Sequence, residues 1–229
     1  MTALKQTALI LGATGATGGH LLKELLNSPN ISKVGEFGRR ITPLDNPGIS
    51  NKDKLVQKVI DFEKPQEAGF TDEKWDIISL LVSMGTSKRE AGSIENFRKI
   101  DQQSKGETEE RLASLGYSEA IMFRPFFLLE ANRPESRTLA SISVYVFCLV
   151  VNINDMVMEK NSTIAKFLTP VSDSVGIPVY SLAKAMRIAG EVGVSGLPTD
   201  ACAFEMGGSQ GIPHYTVIPN RGALALSRA

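Results

Sequence analysis

The sequence predicts an α/β protein with a doubly wound parallel sheet, and three observations support this fold class. Short, continuous apolar runs recur along the first part of the chain, as expected for strands covered by helices on both faces. A glycine-rich segment joins the first run, 7–11, to a helical pattern at 20–26. Strand patterns recur at 31–38, 55–60 and 76–82, and their alternation with helical segments predicts a parallel sheet with right-handed crossovers.

The composition is that of a globular protein without a pronounced charge. Of the 229 residues, 42% are hydrophobic and 22% are charged, and 25 basic residues balance 25 acidic ones. A zero net charge without a basic cluster argues against a nucleic-acid partner. Cys148 and Cys202 have neither the number nor the spacing of a disulfide framework or a metal site. The apolar run at 142–153 is shorter than the roughly 20 residues of a membrane-spanning helix, and we expect no leader peptide before the first strand.

The glycine-rich segment after the first strand is the most specific motif in the chain. The first glycine permits a tight turn, the second removes a side chain that would block a pyrophosphate, and the third lets the helix approach the strand closely. The helix start then offers unpaired N–H groups and the positive end of its dipole to phosphates. This order predicts a dinucleotide site formed by Gly12, Ala13, Thr14, Gly15, Ala16, Thr17 and Gly18.

Two arginines at the end of the second strand indicate which dinucleotide is bound. A cofactor without a 2′-phosphate is usually met at this position by an acidic residue that accepts from the ribose hydroxyls. The sequence has Arg39 and Arg40 instead, and guanidinium groups suit a phosphate. We therefore expect NADP(H) to be preferred and NAD(H) to be possible. The alternative is an ordinary solvated basic pair at a strand end.

The ends of the third and fourth strands supply further candidate ligands. Asp61 and Phe62 follow the third strand, where an acidic residue commonly lies near the adenine. Met84, Gly85 and Thr86 belong to a small-residue turn after the fourth strand. Ligands of open α/β sheets bind at the carboxyl ends of such strands, so we include these residues in the predicted cofactor site.

Several segments together resemble a known family. They are LGATGATGGHLLKELL, VGEFGRR, VIDFEK, the MGTSK turn and SKGETEERLASLGYSEAIMFRP. They resemble the atypical short-chain dehydrogenase/reductases, in the subgroup of the Tat-interacting tumour-suppressor oxidoreductase and its fungal mitochondrial outer-membrane relatives. The resemblance implies one NAD(P)-binding Rossmann domain over 1–229, with 1–125 as the cofactor-binding core and 126–229 as a less regular substrate-side half. It also implies a small carbonyl substrate and peripheral contact with the mitochondrial outer membrane, or else a cytoplasmic location.

The chain departs from this family at the catalytic residues. Lys105 stands where the resemblance places the Lys of the Tyr-x-x-x-Lys pair, but Asp101 occupies the position of the Tyr. The family's fifth strand, its Ser-rich turn and the associated helix segment are missing here as well. A Tyr phenol would exchange a proton with the substrate oxygen, and a carboxylate beside Lys105 would form an ion pair instead. We expect cofactor binding with little or no hydride transfer. Three alternatives stay open: a working oxidoreductase with an incomplete gene model, a non-catalytic sensor or interaction protein associated with mitochondria, and a truncated product.

Two other segments qualify the resemblance. Tyr180 and Lys184 fit Tyr-x-x-x-Lys literally but follow the Phe-Arg-Pro segment, whereas the family's pair precedes it, so we expect Tyr180 to be an ordinary helix-start residue. Arg124 and Pro125 resemble the family's Arg-Pro-Gly turn beside the nicotinamide, although Arg124 could equally form a structural ion pair. The run 141–163 matches no known segment and receives no function.

The missing fifth strand leaves two outcomes for the sheet. The strand predicted at 119–123 could pair beside the fourth strand, which is the outcome we favour. Otherwise a gap opens in the sheet, and unpaired backbone groups destabilise the domain.

Overall fold

The computed structural model describes residues 5–61, 74–80, 109–110, 113–114, 117–125, 128–129, 176–208 and 211–229. The run 141–163 lies outside these ranges. The helices are α1 (Ala16–Asn27), α2 (Val179–Val192) and α3 (Asn220–Arg228), and short 3₁₀ turns occupy Lys52–Lys54, Val194–Gly196 and Thr199–Ala201. The strands are β1 (Gln6–Leu11), β2 (Ile31–Gly38), β3 (Leu55–Val59), β4 (Ile77–Leu80), β5 (Ile121–Arg124), β6 (Leu128–Leu129), β7 (Ile177–Pro178), β8 (Phe204–Met206) and β9 (Tyr215–Pro219).

The first four strands form a parallel sheet in the order β3-β2-β1-β4, which confirms the predicted α/β class. The chain moves outward from β1 through β2 to β3, and β4 then pairs with the other edge of β1. The direction of winding therefore changes at β1, and ligands of open α/β sheets bind at the carboxyl ends of the strands beside such a reversal. Leu11 of β1 is in register with Phe37 of β2, so the segments that follow these two strands leave the sheet side by side.

Helix α1 forms because its apolar residues repeat at helical spacing and can be buried on one face. Leu21, Leu22, Leu25 and Leu26 are fully buried and pack with Ile10 and other β1 residues in one cluster. The helix ends at Asn27, and its C-cap, Ser28, precedes a proline, which disfavours continued helical backbone.

Helix α2 links this cluster to the C-terminal part of the chain. Ala183 is buried in the cluster that contains α1. On another face of α2, Leu182, Ala185 and Ala189 pack in a second cluster with Leu226 of α3. The small side chains of α2 allow its neighbours to approach closely. Residues far apart in sequence are thereby held against the β1–α1 unit.

The expectation that the strand at 119–123 lies beside the fourth strand was wrong. Within the described residues, β5 pairs in parallel with β9, and β8 adds to the other edge of β9 in antiparallel orientation. The physical reason is that residues 215–218 of β9 are all buried and supply hydrogen-bond partners for the backbone of β5. These three strands form a sheet of their own.

A polar network joins α1 to α2 at the rim of the core. Arg187 of α2 donates to Glu24 of α1 and to Glu191, each at 3.0 Å. Glu191 also accepts from the Ser28 hydroxyl at 2.7 Å and from the Asn30 amide at 2.9 Å. Burial alone would raise the pKa of Glu191, but the hydrogen bonds from Ser28, Asn30 and Arg187 outweigh it and lower that pKa. The network therefore favours the ionised carboxylate.

We predict that Glu191→Gln destabilises the fold in a pH-dependent manner. A carboxyl group with a lowered folded-state pKa contributes stability above its unfolded pKa, near 4.5, and loses this contribution as the pH falls through the folded value. The variant should lose about 2 kcal/mol of unfolding free energy at neutral pH, and the difference from wild type should shrink below pH 4.5. Urea unfolding at a series of pH values measures this, with the exposed Glu205→Gln as control. A difference that is constant with pH would contradict the assignment.

Candidate functional site

The turn after β1 depends on the backbone freedom of its first glycine. Gly12 has φ of +93°, a conformation that L side chains rarely adopt. Its carbonyl oxygen accepts a hydrogen bond from the Gly15 N–H at 3.1 Å, which closes the turn. Ala13 is buried beneath it, whereas Thr14 and Gly15 are exposed. The turn therefore presents its backbone to solvent and anchors itself through Ala13.

The third glycine lets α1 lie directly against the turn. A Cβ atom on Gly18 would collide with the carbonyl oxygen of Gly12 and lie 2.9 Å from the Cα of Ala13. Gly15 has more room, because a Cβ there would lie 3.3 Å from the Gly12 oxygen. The close helix–strand approach expected from the sequence is present at Gly18.

Within the described residues, no side-chain cap satisfies the backbone donors at the start of α1. Gly15 is the N-cap residue and makes no side-chain capping bond, and the first turn contains no acidic side chain. Ala16 is exposed and Thr17 is buried. The first N–H groups of a helix have no partner within the helix and lie at the positive end of its dipole. This end of α1 can therefore bind an anionic group.

A cavity of about 310 Å³ opens beside the glycine turn, which is within the usual size range of small-molecule sites. One side is formed by the turn and by the face of α1 that carries His20 and Lys23. The other side is formed by the segment that follows β2. Its lining residues are Ala13, Thr14, Gly15, Ala16, Gly19, His20, Lys23, Thr42, Pro43, Asn46 and Ile49.

The two predicted arginines lie at the carboxyl end of β2, next to the glycine turn. Arg39 and Arg40 are exposed and form a bend directly after Gly38. Neither guanidinium forms a salt bridge within the described residues. Asp61 lies beside this bend, because the N–H of the preceding Ile60 donates to the Gly38 carbonyl at 3.0 Å. The structure thus brings the arginines, Asp61 and the turn to one edge of the sheet.

A buried carboxyl group beneath this bend was missed by the sequence reasoning. Glu36 of β2 is 1% exposed, and it accepts hydrogen bonds from Thr42 and from Gln57. The signal in the sequence was a single acidic residue inside a strand predicted to be covered on both faces. Such a residue needs internal hydrogen-bond donors, and Thr42 and Gln57 provide them.

Arg124 forms an ion pair at the end of β5. Its guanidinium donates to both carboxylate oxygens of Glu109, with Nε 3.0 Å from Oε1. The hydrogen bond to Glu109 raises the pKa of Arg124. This is the structural alternative weighed for Arg124, and the cofactor role of Arg124 and of the half-buried Pro125 stays a prediction. Nearby Tyr215 is buried, and burial raises the pKa of its phenol.

Tyr180 lies in the first turn of α2, as expected for a helix-start tyrosine. Its ring contacts His20 of α1 edge to face, with 6.3 Å between the ring centroids. Lys184 lies one helical turn later and is partly buried. Tyr180 is 49% exposed, so its hydroxyl is not enclosed in a reaction pocket by the described residues.

Several predicted residues lie outside the described ranges. They are Phe62, Met84, Gly85, Thr86, Asp101 and Lys105. In the part of the chain that the structure describes, no three or more His, Cys, Asp or Glu side chains are grouped so that they could hold a metal ion. The described helices include none that is long and apolar enough to cross a membrane.

The parallel sheet, the glycine turn and the uncapped start of α1 define a Rossmann-like α/β fold. No protein-family model matches the chain. It is similar to Protein HTATIP2 of Rattus norvegicus, with 29% identity over 167 residues that cover 58% of this chain and 66% of the rat protein. It is also similar to two proteins whose names include the word mitochondrial. FMP52-1 of Scheffersomyces stipitis is 27% identical over 61% of this chain and 75% of its own length, and FMP52 of Candida albicans is 28% identical over 59% and 72%.

These homologues confirm the resemblance predicted from the sequence. The match to the rat protein spans slightly less than two thirds of that protein's length. Two solved structures are also similar. One is a UDP-N-acetylglucosamine 4-epimerase from Methanobrevibacter ruminantium, with 12% identity, a TM-score of 0.41 and coverage of 82% of this chain and 74% of the other. The other is the Bordetella bronchiseptica enzyme WbmH in complex with NAD+, with 13% identity, a TM-score of 0.37 and the same coverage.

We predict that Gly18→Ala destabilises the protein because the added methyl group collides with the backbone of the turn. Overpacking of this kind typically costs about 1–3 kcal/mol. Gly19→Ala is the matched control, since a Cβ there would lie 3.6 Å from the Ala13 oxygen, an ordinary contact, and alanine favours the helix. Thermal unfolding should show a lower midpoint for Gly18→Ala alone. Equal midpoints for the two variants would show that the close approach is not needed.

Proposed function

We propose that this chain binds NADP(H) at the glycine turn and is an oxidoreductase-like relative of the short-chain dehydrogenase/reductases. One observation carries the proposal. The uncapped N-terminus of α1 and the two exposed guanidiniums follow the carboxyl ends of the neighbouring parallel strands β1 and β2. A dinucleotide phosphorylated on its ribose has anionic groups for both. The helix end suits the pyrophosphate, and the arginines suit the 2′-phosphate.

The residues of the turn suit a pyrophosphate by their small size, in addition to the positive end of the dipole of the helix that they begin. Thr14, Gly15 and Ala16 are exposed, and the small side chains leave the first amide groups of α1 accessible. Asp61 and Phe62 are proposed to lie near the adenine, and Met84, Gly85 and Thr86 near the nicotinamide side. Pro125 and Arg124 would complete that side of the site.

The preference for NADP(H) over NAD(H) rests on Arg39 and Arg40. A planar guanidinium can donate two hydrogen bonds to one phosphate group, which strengthens and orients the contact. The acidic residue nearest in sequence, Glu36, is buried, and both of its oxygens already accept internal hydrogen bonds. It is therefore not available to the ribose hydroxyls of NAD(H).

When bound, NADP(H) supplies hydride chemistry, but this chain lacks the usual proton donor for it. Asp101 stands where the family has Tyr, and a carboxylate four residues before Lys105 would pair with the ammonium group. We propose weak or absent carbonyl reduction. The second candidate, a non-catalytic sensor or interaction protein that binds the cofactor, is favoured by this substitution. The names of the fungal relatives include the word mitochondrial, and we propose that this chain associates peripherally with mitochondria, from which alkaline extraction should release it.

We predict that NADPH binds with a dissociation constant on the order of 1 μM and more tightly than NADH. Replacing both Arg39 and Arg40 by Ala should weaken NADPH binding by about tenfold or more, because charge-assisted hydrogen bonds to the phosphate are lost. NADH binding should change little. Isothermal titration of wild type and variant with both cofactors measures this.

Arg221→Ala is the control, since it removes one guanidinium from an exposed position on α3 and should leave the binding of both cofactors unchanged. Tighter binding of NADH than of NADPH by wild type would contradict the role of the arginines. No binding of either cofactor would contradict the site itself.

We also predict that NADPH oxidation in the presence of small aldehydes and ketones is no faster than without the protein. The physical reason is that Asp101 stands at the position of the Tyr whose phenol would protonate the carbonyl oxygen as hydride is transferred. Absorbance of NADPH followed over time is the measurement. A rate that is clear in wild type and vanishes in Tyr180→Phe would show that Tyr180 is the proton donor after all.

A further inference from the structure

The Glu36 carboxyl group is enclosed and fully engaged by neutral donors. Its Oε1 accepts from the Thr42 N–H and from the Thr42 hydroxyl, both at 2.7 Å. Its Oε2 accepts from the Gln57 side-chain amide at 2.8 Å. The same Gln57 amide donates to the Thr42 carbonyl oxygen at 2.6 Å. Glu36, Thr42 and Gln57 therefore form a closed cluster, here called the Glu36 clamp.

The Glu36 clamp encloses the bend that carries the two arginines. Glu36 and Thr42 lie on either side of Arg39 and Arg40 in the sequence, and their hydrogen bonds tie the start of this segment to its end. Gln57 lies opposite Glu36 in the register between β2 and β3, so the sheet itself holds the third member in place. The bend is thus fixed to two strands rather than to one.

Core packing does not account for a carboxyl group at this position. The neighbouring Val34 and Phe37 are buried and apolar, and an apolar residue at 36 would pack without needing donors. Burying a carboxyl group is unfavourable unless each of its acceptors is satisfied. The specific effect of Glu36 is to hold Thr42, and Thr42 with Pro43 lines the cavity beside the glycine turn.

We propose that Glu36 is a positioning residue that sets the preference for a phosphorylated dinucleotide through Thr42. This inference rests on the proposed NADP(H) binding. The clamp holds the bend so that Arg39 and Arg40 are presented to the 2′-phosphate, while the glycine turn binds the pyrophosphate of either cofactor. Loss of the clamp should weaken NADPH binding much more than NADH binding.

Glu36→Gln tests the proposal while nearly preserving side-chain size. One acceptor oxygen becomes an NH₂ group, so either a Thr42 donor or the Gln57 amide then faces another donor. NADPH affinity should fall about tenfold, the equivalent of one lost hydrogen bond to a charged group, and NADH affinity should stay within about twofold. Gln57→Met removes the amide that donates to both Glu36 and the Thr42 carbonyl oxygen, and Gln57 itself does not line the cavity, so this variant should also reduce the NADPH:NADH affinity ratio.

Glu191→Gln is the matched control, because it removes another hydrogen-bonded carboxylate that lies between α1 and α2, away from the bend. It should lower stability and leave the affinity ratio of the two cofactors unchanged. Isothermal titration of all three variants with NADPH and with NADH gives the affinity ratios. If Glu36→Gln does not fold, Gln57→Met serves as the test variant. A wild-type preference that persists in both clamp variants overturns the inference. Absence of any NADPH preference in wild type refutes the proposed function instead.

Discussion

The whole site depends on the contact between the Gly18 backbone and the carbonyl oxygen of Gly12. No side chain fits between them, and this allows α1 to start against the end of β1. The direction of α1 is then determined, and its leucines pack on the strand it has just left. The same contact aims the first amide groups of the helix at the sheet edge. Folding and the proposed binding of an anion therefore have a common steric origin.

The C-terminal part of the chain is coupled to this turn through α1. Ala183 enters the same core as the leucines of α1, and Arg187 reaches across to Glu24. The His20–Tyr180 ring contact lies toward the start of both helices. A displacement of α2 would consequently change the contact of Tyr180 with His20, which lines the cavity. Residues distant in sequence thus support the turn, although the described residues place no acid–base pair there.

Local patterns in the sequence were sufficient for the parallel sheet and the glycine turn, because both depend on neighbouring residues. The pairing of β5 with β9 was not predictable in this way, since it depends on which distant strand supplies a buried partner. For Arg124, the sequence left an ion pair and a ligand role equally open, and the partner, Glu109, became evident only in three dimensions. Glu36 was overlooked because strand periodicity reports burial and not the donors that satisfy a buried carboxyl group.

The proposed selectivity for a phosphate at the bend depends on the order of the backbone as well as on the charge of the arginines. Two exposed arginine side chains lose rotamer freedom when they bind an anion, and a mobile backbone beneath them would add a further entropic cost. The hydrogen bonds of Glu36 and Gln57 remove that backbone freedom before any ligand arrives. Because the carboxyl oxygens are satisfied internally, they also do not compete with a phosphate for the guanidiniums. A buried negative group can thus favour the binding of an anion, by fixing the backbone that presents the positive charges.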